Sequence, residues 1–216
     1  MPKYTTIIFD LDGTILNTLD DLADSMNHTL SVCGYPTHSK ADICSFVGNG
    51  IRKLVERSVP TGCTAEETDL VHRTFVEYYA DHSAIKTCPY PEVINMLKKL
   101  RDMGCKTAVV SNKGHFATVP LCEKYFPGLF DIAIGEREGI RRKPHPDSVL
   151  EVMKQLGSTP ETTVYIGDSD VDIQTAKNSG IDCISVDWGF RDAEFLKNSG
   201  AEVIVSDCEA LLCKII

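Results

Sequence analysis

The sequence contains no long apolar run among its 216 residues, so nothing in it predicts a membrane-spanning helix or a membrane partner. Its opening residues lack the apolar stretch and cleavage site of a secretory signal, and we therefore expect a cytoplasmic protein. The nine cysteines are scattered, odd in number and never spaced as Cys-x-x-Cys. This pattern favours free thiols over disulfides or a zinc site.

Basic residues are also scarce, because 22 Lys and Arg stand against 31 Asp and Glu, for a formal net charge of −9. Proteins that grip nucleic acid neutralise its phosphates with Lys and Arg, so this balance disfavours a nucleic-acid partner. No Gly-x-x-x-x-Gly-Lys-Ser/Thr motif occurs, which argues against a P-loop nucleotide binder. The acidic balance favours solubility and leaves both a monomer and a homodimer open.

Short apolar runs alternate with helical periodicity over much of the chain. This alternation predicts an α/β fold, a Rossmann-like parallel sheet with helices on its faces. We expect this core over residues 1–15 and 88–216. The strands are predicted at residues 6–9, 107–110, 131–134, 164–166, 183–186 and 203–205.

One segment, residues 16–87, interrupts the alternation. It shows no convincing strand up to about residue 85, only helical stripes such as Leu19, Leu22, Met26 and Leu30. The pattern predicts an all-helical domain inserted after the first strand, and such a block can act as a lid. The alternative, that these helices simply extend the core, remains open.

Polar side chains follow three of the apolar runs directly. In open parallel sheets ligands bind outside the carboxyl ends of the strands, so these residues are candidates for a site. Several carboxylates at one edge repel one another unless a cation offsets their charge, and ligand sets made only of oxygen suit Mg²⁺. Any single aspartate could instead be a turn former or helix cap. The candidates are Asp10, Asp12 and Thr14, then Ser111 and Asn112, then Asp168 and Asp172.

A carboxylate can also accept a phosphoryl group, which splits one difficult displacement into two easier ones. Asp10 is the candidate acceptor, and Asp12 could protonate the leaving oxygen and then activate water. Ser111 could donate its hydroxyl to a phosphate oxygen. Lys143, which follows two arginines and precedes a proline, could supply a fixed positive charge, although a solvated basic cluster is the simpler interpretation of that residue alone.

Four motifs in order make the chain resemble the haloacid dehalogenase superfamily, and within it the phosphoglycolate phosphatase-like group. The resemblance covers essentially the whole chain and shows no departure from the catalytic pattern. It implies a helical cap between the first two motifs, matching the strandless segment. The motifs are Asp-x-Asp-Gly-Thr at 10–14, Ser-Asn at 111–112, Lys-Pro at 143–144 and Gly-Asp-Ser-x-x-Asp at 167–172.

The resemblance also implies a role for each motif residue. Asp10 would be the nucleophile and Asp12 the acid and base, while Ser111 and Lys143 would hold the phosphoryl group. Mg²⁺ would be bound by one carboxylate of each outer motif and one backbone carbonyl, with an auxiliary carboxylate nearby. Asp10 and Asp168 would bind through their carboxylates and Asp12 through its backbone carbonyl, and Asp172 would be the auxiliary residue.

Substrate-binding residues are expected from the motifs and from the helical segment. Thr14 and Asn112 belong to the first group. Asn49, Gly50 and Arg52 lie in a Gly-Asn-Gly loop that resembles the cap loop facing the active site in phosphoglycolate phosphatase-like proteins. Amides before a helix can bind an anion, and an arginine can pair with a substrate carboxylate. An ordinary loop with a solvated arginine remains the alternative.

Together these features predict a Mg²⁺-dependent phosphatase acting on a small phosphorylated metabolite. The resemblance implies 2-phosphoglycolate as the first candidate substrate. A phosphomutase of the β-phosphoglucomutase type and a pyrophosphatase share the motifs and stay open. A receiver-type signalling module also phosphorylates an aspartate. It is disfavoured, because the acceptor here follows the first strand and not a central strand. The helical insert would also have no function in a receiver.

Overall fold

The computed structural model describes residues 2–216 and separates into two compact units. One unit comprises the chain up to Leu16 together with Pro89–Ile216, and the other comprises Asn17–Cys88. These boundaries lie one residue from those expected from the sequence. The role of the second unit as a cap stays a prediction. Across the described residues, no helix is both long and apolar enough to cross a membrane.

Residues 2–216 form eight strands, and six of these make one parallel sheet in the order β5-β4-β1-β6-β7-β8. All six predicted strands are present, and the expected α/β class is confirmed. The largest difference is in β4, which continues beyond residue 110 through the second motif. The strands are β1 Thr6–Phe9, β2 Leu16–Asn17, β3 Cys88–Pro89, β4 Lys106–Gly114, β5 Ile132–Glu136, β6 Thr163–Gly167, β7 Asp182–Val186 and β8 Ile204–Val205.

The expectation of no strand from residue 16 to 85 was wrong at its first residues. β2 pairs with β3 in a separate two-stranded sheet where the chain leaves and rejoins the first unit. A strand of two residues is too short to produce a period in the sequence, so the pattern could not reveal it.

The middle of the large sheet is completely buried. Ile7, Ile8 and Phe9 of β1 have no exposed surface, as expected for a parallel strand covered on both faces. Burial of each such side chain stabilises the fold by about 1.5–3 kcal/mol. Phe9 pairs with Val109 of β4 and with Ile166 of β6. The residues that follow these three strands therefore meet at one edge of the sheet.

Among the described residues this unit contains six α-helices, which confirms the expected alternation of strands and helices. Several of them begin or end with the expected signals. The helix after β6 opens with a capping box between Ser169 and Asp172 and ends at Gly180 in the left-handed region. The helices are α5 Val93–Asp102, α6 His115–Tyr125, α7 Asp147–Leu156, α8 Asp170–Ser179, α9 Ala193–Asn198 and α10 Cys208–Ile215.

The second unit is a small helical domain with its own apolar core. Met26, Leu30, Phe75 and Tyr79 are fully buried there, and the Phe75 and Tyr79 rings stack with centroids 5.1 Å apart. Its helices are α1 Leu19–Val32, α2 Lys40–Phe46, α3 Gly50–Ser58 and α4 Ala65–His82.

The returning end of this helical unit is tied to its first helix by a buried carboxylate. Asp21 of α1 is 2% exposed and accepts hydrogen bonds from the backbone N–H groups of Ile85, Lys86 and Thr87 at 2.8–3.0 Å. A carboxylate that receives several N–H groups in this way fixes the path of the chain it binds.

Candidate active site

Three of the predicted metal-binding carboxylates converge at the carboxyl edge of the sheet. Asp10 follows β1, Asp168 follows β6, and Asp172 lies in the first turn of α8. All three are buried, and one oxygen from each lies within 4.8 Å of the others. Three carboxylates this close repel one another strongly away from water, so the cluster requires compensating positive charge.

Lys143 supplies part of that charge. Its Nζ lies 2.9 Å from Asp10 Oδ1 and 2.7 Å from Asp172 Oδ1, and it donates a hydrogen bond to the Tyr165 hydroxyl at 2.9 Å. The Tyr165 hydroxyl in turn donates to the carbonyl of Val110 at 2.7 Å. Burial alone would lower the pKa of Lys143, but the carboxylates of Asp10 and Asp172 outweigh it and raise that pKa well above its ordinary value. Lys143 is therefore a fixed cation.

The loop that carries Lys143 is held by Asn112. The Asn112 side-chain amide donates to the Lys143 carbonyl at 3.1 Å, and its oxygen accepts from the Lys143 backbone N–H at 2.8 Å. This reciprocal pair joins the second motif to the third. Ser111, one residue earlier, is buried at the same strand end. Contact of Asn112 or Ser111 with substrate stays a prediction.

Asp168 is oriented by the first motif and by the loop after β7. Its Oδ1 accepts from the Thr14 hydroxyl at 3.2 Å and its Oδ2 from the Phe190 N–H at 2.7 Å. Burial raises the pKa of Asp168 well above its usual range, and the charges of Asp172 and Asp10 raise it further. Thr14 is fully buried, so its hydroxyl serves the Asp168 carboxylate here, and a direct role towards substrate stays a prediction.

Two glycines make this close approach possible. A Cβ on Gly13 would lie 2.3 Å from Asp168 Oδ2, and a Cβ on Gly189 would lie 2.3 Å from the Gly13 carbonyl oxygen. Any side chain at either position would displace the Asp168 carboxylate. The indole N–H of Trp188 donates to the Thr14 carbonyl at 3.0 Å and ties the same loop to the first motif.

Asp12 points to a different partner. The Nζ of Lys113 lies 3.1 Å and 3.3 Å from the two carboxylate oxygens of Asp12. The Lys113 side chain is 1% exposed and the Asp12 side chain 15%. The cluster of three carboxylates thus does not include the Asp12 carboxylate, and metal contact through the Asp12 backbone carbonyl stays a prediction.

The residues present fit a divalent cation. Both oxygens of Asp172 have partners, since Oδ1 pairs with Lys143 and Oδ2 accepts from the N–H and hydroxyl of Ser169 at 3.1 Å and 2.6 Å, and this suits an auxiliary place beside a metal. Burial raises the pKa of Asp10 to about 6, against the opposing charge of Lys143, while Asp172 and Asp12 raise it further. A site of oxygen ligands with surplus negative charge suits a hard ion such as Mg²⁺.

The predicted residues of the helical unit lie together at the start of α3. Asn49 precedes this helix and its side-chain oxygen accepts from Arg57 Nη2 at 2.8 Å. Arg52 donates from Nε to Glu56 Oε1 at 3.0 Å and also pairs with Asp69 through Nη1. The helix begins at Gly50. Substrate contact by Asn49, Gly50 and Arg52 stays a prediction.

Several residues without a predicted role lie in the site. Phe190 and its two predecessors follow β7 just as the motifs follow their strands, so the strand-end rule applied to β7 could have found them. Tyr165 lies inside β6 and looks like an ordinary core aromatic in the sequence. Lys113 follows Ser111 and Asn112 directly, but nothing in its neighbours indicates that its partner is Asp12.

Comparison with known proteins agrees with this geometry. A family profile described as haloacid dehalogenase-like hydrolase matches residues 7–186. The phosphoglycolate phosphatase of Mesorhizobium japonicum is 32% identical over 211 residues, which cover 95% of this chain and 92% of the relative. That of Psychrobacter arcticus is 33% identical over 215 residues, covering 95% of this chain and 93% of the relative.

A crystal structure of a protein assigned as a phosphoglycolate phosphatase from Lactobacillus delbrueckii subsp. bulgaricus is similar throughout. It has a TM-score of 0.95 and 42% sequence identity, and 99% of each chain is covered. The chain therefore belongs to the haloacid dehalogenase-like hydrolases, in their phosphoglycolate phosphatase-like group. As a member of that group it is a phosphatase that hydrolyses phosphoric monoesters. This membership excludes the receiver-type alternative.

Proposed function

We propose that this phosphatase hydrolyses 2-phosphoglycolate in a Mg²⁺-dependent reaction that passes through an aspartyl-phosphate on Asp10. The observation that carries the proposal is the buried cluster of Asp10, Asp168 and Asp172, in which Asp10 and Asp172 pair with the ammonium of Lys143. The substrate is proposed because the relatives that match nearly the whole chain are named phosphoglycolate phosphatase.

For the metal, Asp10, Asp168 and the backbone carbonyl of Asp12 are the proposed ligands, with Asp172 as an auxiliary residue. Bound Mg²⁺ would supply positive charge to the phosphoryl oxygens and so lower the barrier to transfer. The chain's own residues do the remaining work. Lys143 and Ser111 orient the phosphoryl oxygens, and the Thr14 and Phe190 hydrogen bonds keep Asp168 in place.

The reaction has two balanced steps. In the first, a carboxylate oxygen of Asp10 attacks phosphorus, the bond from phosphorus to the ester oxygen breaks, and the carboxyl group of Asp12 gives its proton to that oxygen. In the second, a water oxygen attacks phosphorus, the bond to Asp10 breaks, and the Asp12 carboxylate takes the proton from water. The products are glycolate and phosphate, and both aspartates return to their starting states.

The direct test is phosphate release from a substrate panel, with Mg²⁺ and with a chelator. The panel holds 2-phosphoglycolate, pyrophosphate, sugar phosphates and nucleoside monophosphates. We expect 2-phosphoglycolate to give the highest kcat/KM, and the chelator to reduce release by about 100-fold or more, since a divalent ion contributes several kcal/mol to phosphoryl transfer. Preference for another compound would overturn the substrate. Release from none would direct the search to phosphoryl transfer between sugar positions.

Metal binding should depend on pH in a defined direction. The pKa of Asp10 is about 6 in the metal-free fold, above its ordinary value of 3.8. A raised pKa means that this group stabilises the metal-free fold below about pH 4 and that this stability is lost as pH rises through about 6. Mg²⁺ must displace the proton of Asp10, so the stabilisation of the fold by Mg²⁺ increases as pH rises.

The corresponding measurement is the rise in Tm on adding Mg²⁺, followed from acid to neutral pH. We expect a large rise at about pH 7.5 and almost none at about pH 5. Ca²⁺-free buffer with a monovalent salt of equal ionic strength is the control for screening. A rise of equal size at both pH values would contradict the proposal that Asp10 is a metal ligand.

Arg52 is proposed to bind the carboxylate of 2-phosphoglycolate. Its contacts to Glu56 and Asp69 use Nε and Nη1, so Nη2 is the nitrogen expected to reach a substrate. Arg52→Ala should raise KM for 2-phosphoglycolate about tenfold, the equivalent of one charge-assisted hydrogen bond. It should leave KM unchanged for ethyl phosphate, which has no carboxylate. Lys53→Ala is the matched control, because Lys53 is the next residue on α3 and also pairs with Glu56. Equal effects on the two substrates would remove this role.

A further inference from the structure

Lys113 is a buried lysine that the proposed reaction does not yet use. Its side chain is 1% exposed, and its ammonium lies within 3.3 Å of both carboxylate oxygens of Asp12. Removing an ammonium group from water is costly unless the charge is paired with good geometry. The pair therefore indicates that Asp12 and Lys113 are held as a unit at the carboxyl edge of the sheet.

The position of Lys113 is fixed by the same strand that presents the second motif. β4 continues through Ser111 and Asn112 to Gly114, with a register shift between Val110 and Gly114. The Lys113 backbone N–H donates to the Ser111 hydroxyl oxygen at 3.3 Å. The strand end that carries the proposed phosphoryl contact thus also carries the ammonium that holds Asp12.

Two buried ammonium groups divide the carboxylates of the site between them. Lys143 pairs with Asp10 and Asp172, whereas Lys113 pairs with Asp12. The second pairing separates the carboxylate proposed to move protons from those proposed to take the phosphoryl group and the metal.

We infer that Lys113 is a positioning residue that acts through Asp12. Its ammonium holds the Asp12 carboxyl group where that group gives a proton to the leaving oxygen and later takes one from water. This role rests on the function proposed above. Direct binding of the phosphoryl group by Lys113 would be a different role, and the experiment below distinguishes the two.

The leaving group distinguishes these two roles. When 2-phosphoglycolate transfers its phosphoryl group to Asp10, the departing alkoxide is strongly basic and needs the proton of Asp12. When p-nitrophenyl phosphate does so, the departing phenolate is weakly basic and leaves without one. The second step, in which water cleaves the bond between phosphorus and Asp10, is the same for both substrates. A residue that acts through Asp12 therefore affects phosphoenzyme formation from 2-phosphoglycolate but not from p-nitrophenyl phosphate. It affects phosphoenzyme decay with both substrates.

The experiment is rapid-quench measurement of phosphoenzyme formation and decay for Lys113→Met with both substrates. We expect formation from 2-phosphoglycolate to slow about 100-fold, with formation from p-nitrophenyl phosphate changed by less than about threefold. Decay should slow about 100-fold in both cases, so p-nitrophenyl phosphate gives a burst followed by slow turnover. Lys106→Met, at the exposed start of the same strand, is the matched control.

Two further variants test whether the effect passes through Asp12. Adding Lys113→Met to Asp12→Asn should cause no further loss, because the group on which Lys113 acts is already disabled. Lys113→Arg should restore part of the rate, since a guanidinium can also pair with both carboxylate oxygens. Lys113→Gln serves in place of the methionine variant if the latter does not fold, and the Mg²⁺-induced rise in Tm confirms folding of each protein.

Each other result overturns a specific statement. Equal slowing of formation from both substrates would show that Lys113 contacts the phosphoryl group itself. Unchanged rates would show that it has no part in the reaction. Activity of Asp10→Asn close to that of the unmodified protein would instead refute the covalent mechanism of the proposed function, and this role of Lys113 with it.

Discussion

Asp10→Asn should reduce phosphate release by on the order of 10⁴-fold or more, because an amide retains the size of the side chain but is not a nucleophile. The fold should survive the change. Burial raises the pKa of Asp10 to about 6, so its ionised form is less favourable in the metal-free fold than in the unfolded chain. Replacing that charge with a neutral amide should leave the Tm of the metal-free protein unchanged or higher.

The measurements are phosphate release and Tm, each with and without Mg²⁺. Asp170→Asn is the matched control, since Asp170 lies in the fourth motif but is exposed at the start of α8. It should retain normal activity and a normal Mg²⁺ effect, whereas Asp10→Asn should lose both. Residual activity above about 1% would exclude Asp10 as the acceptor, because loss of a true nucleophile costs far more.

Lys143→Met should impair both stability and catalysis. The substitution leaves Asp10 and Asp172 buried without their shared cation, and breaking such a pair from one side costs about 3–5 kcal/mol in the free energy of unfolding. Loss of a fixed charge aimed at the reacting phosphoryl group should reduce kcat by about 10²–10³-fold. Urea unfolding and phosphate release measure the two effects separately.

A double variant tells the two roles of Lys143 apart. Adding Asp172→Asn to Lys143→Met removes the carboxylate that the missing ammonium had compensated, so part of the lost stability should return. Activity should not return, because the positive charge beside Asp10 is still missing. Recovery of activity together with stability would mean that Lys143 serves only the fold.

Much of the site could be predicted because it follows a simple geometric rule. Asp10, Ser111 and Asp168 come directly after apolar runs of strand length, and parallel strands bring their carboxyl ends to one edge. Lys143 is different. It lies in a loop beyond β5 with no period of its own, so its place in the site came from the motif resemblance and not from the pattern of the surrounding residues.

What the sequence could not reveal were the pairings between distant polar groups. Tyr165 alternates with other apolar residues of β6, and its link from Lys143 to Val110 depends on the order of strands in the sheet. Lys113 has carboxylates of several motifs as possible partners, and only the three-dimensional structure selects Asp12. Sequence identifies which groups are available, whereas packing decides which of them meet.

The hydrogen bonds between Asp21 and residues 85–87 bear on how the inserted helical unit can change in evolution. The Asp21 carboxylate holds residues 85–87 against the start of α1, and these two segments directly adjoin the paired strands β3 and β2 in the sequence. A segment whose ends are already adjacent adds little loop-closure entropy to its host when it is exchanged for another of different length. The helical unit can therefore be replaced by another inserted domain while the strand order of the parallel sheet stays the same.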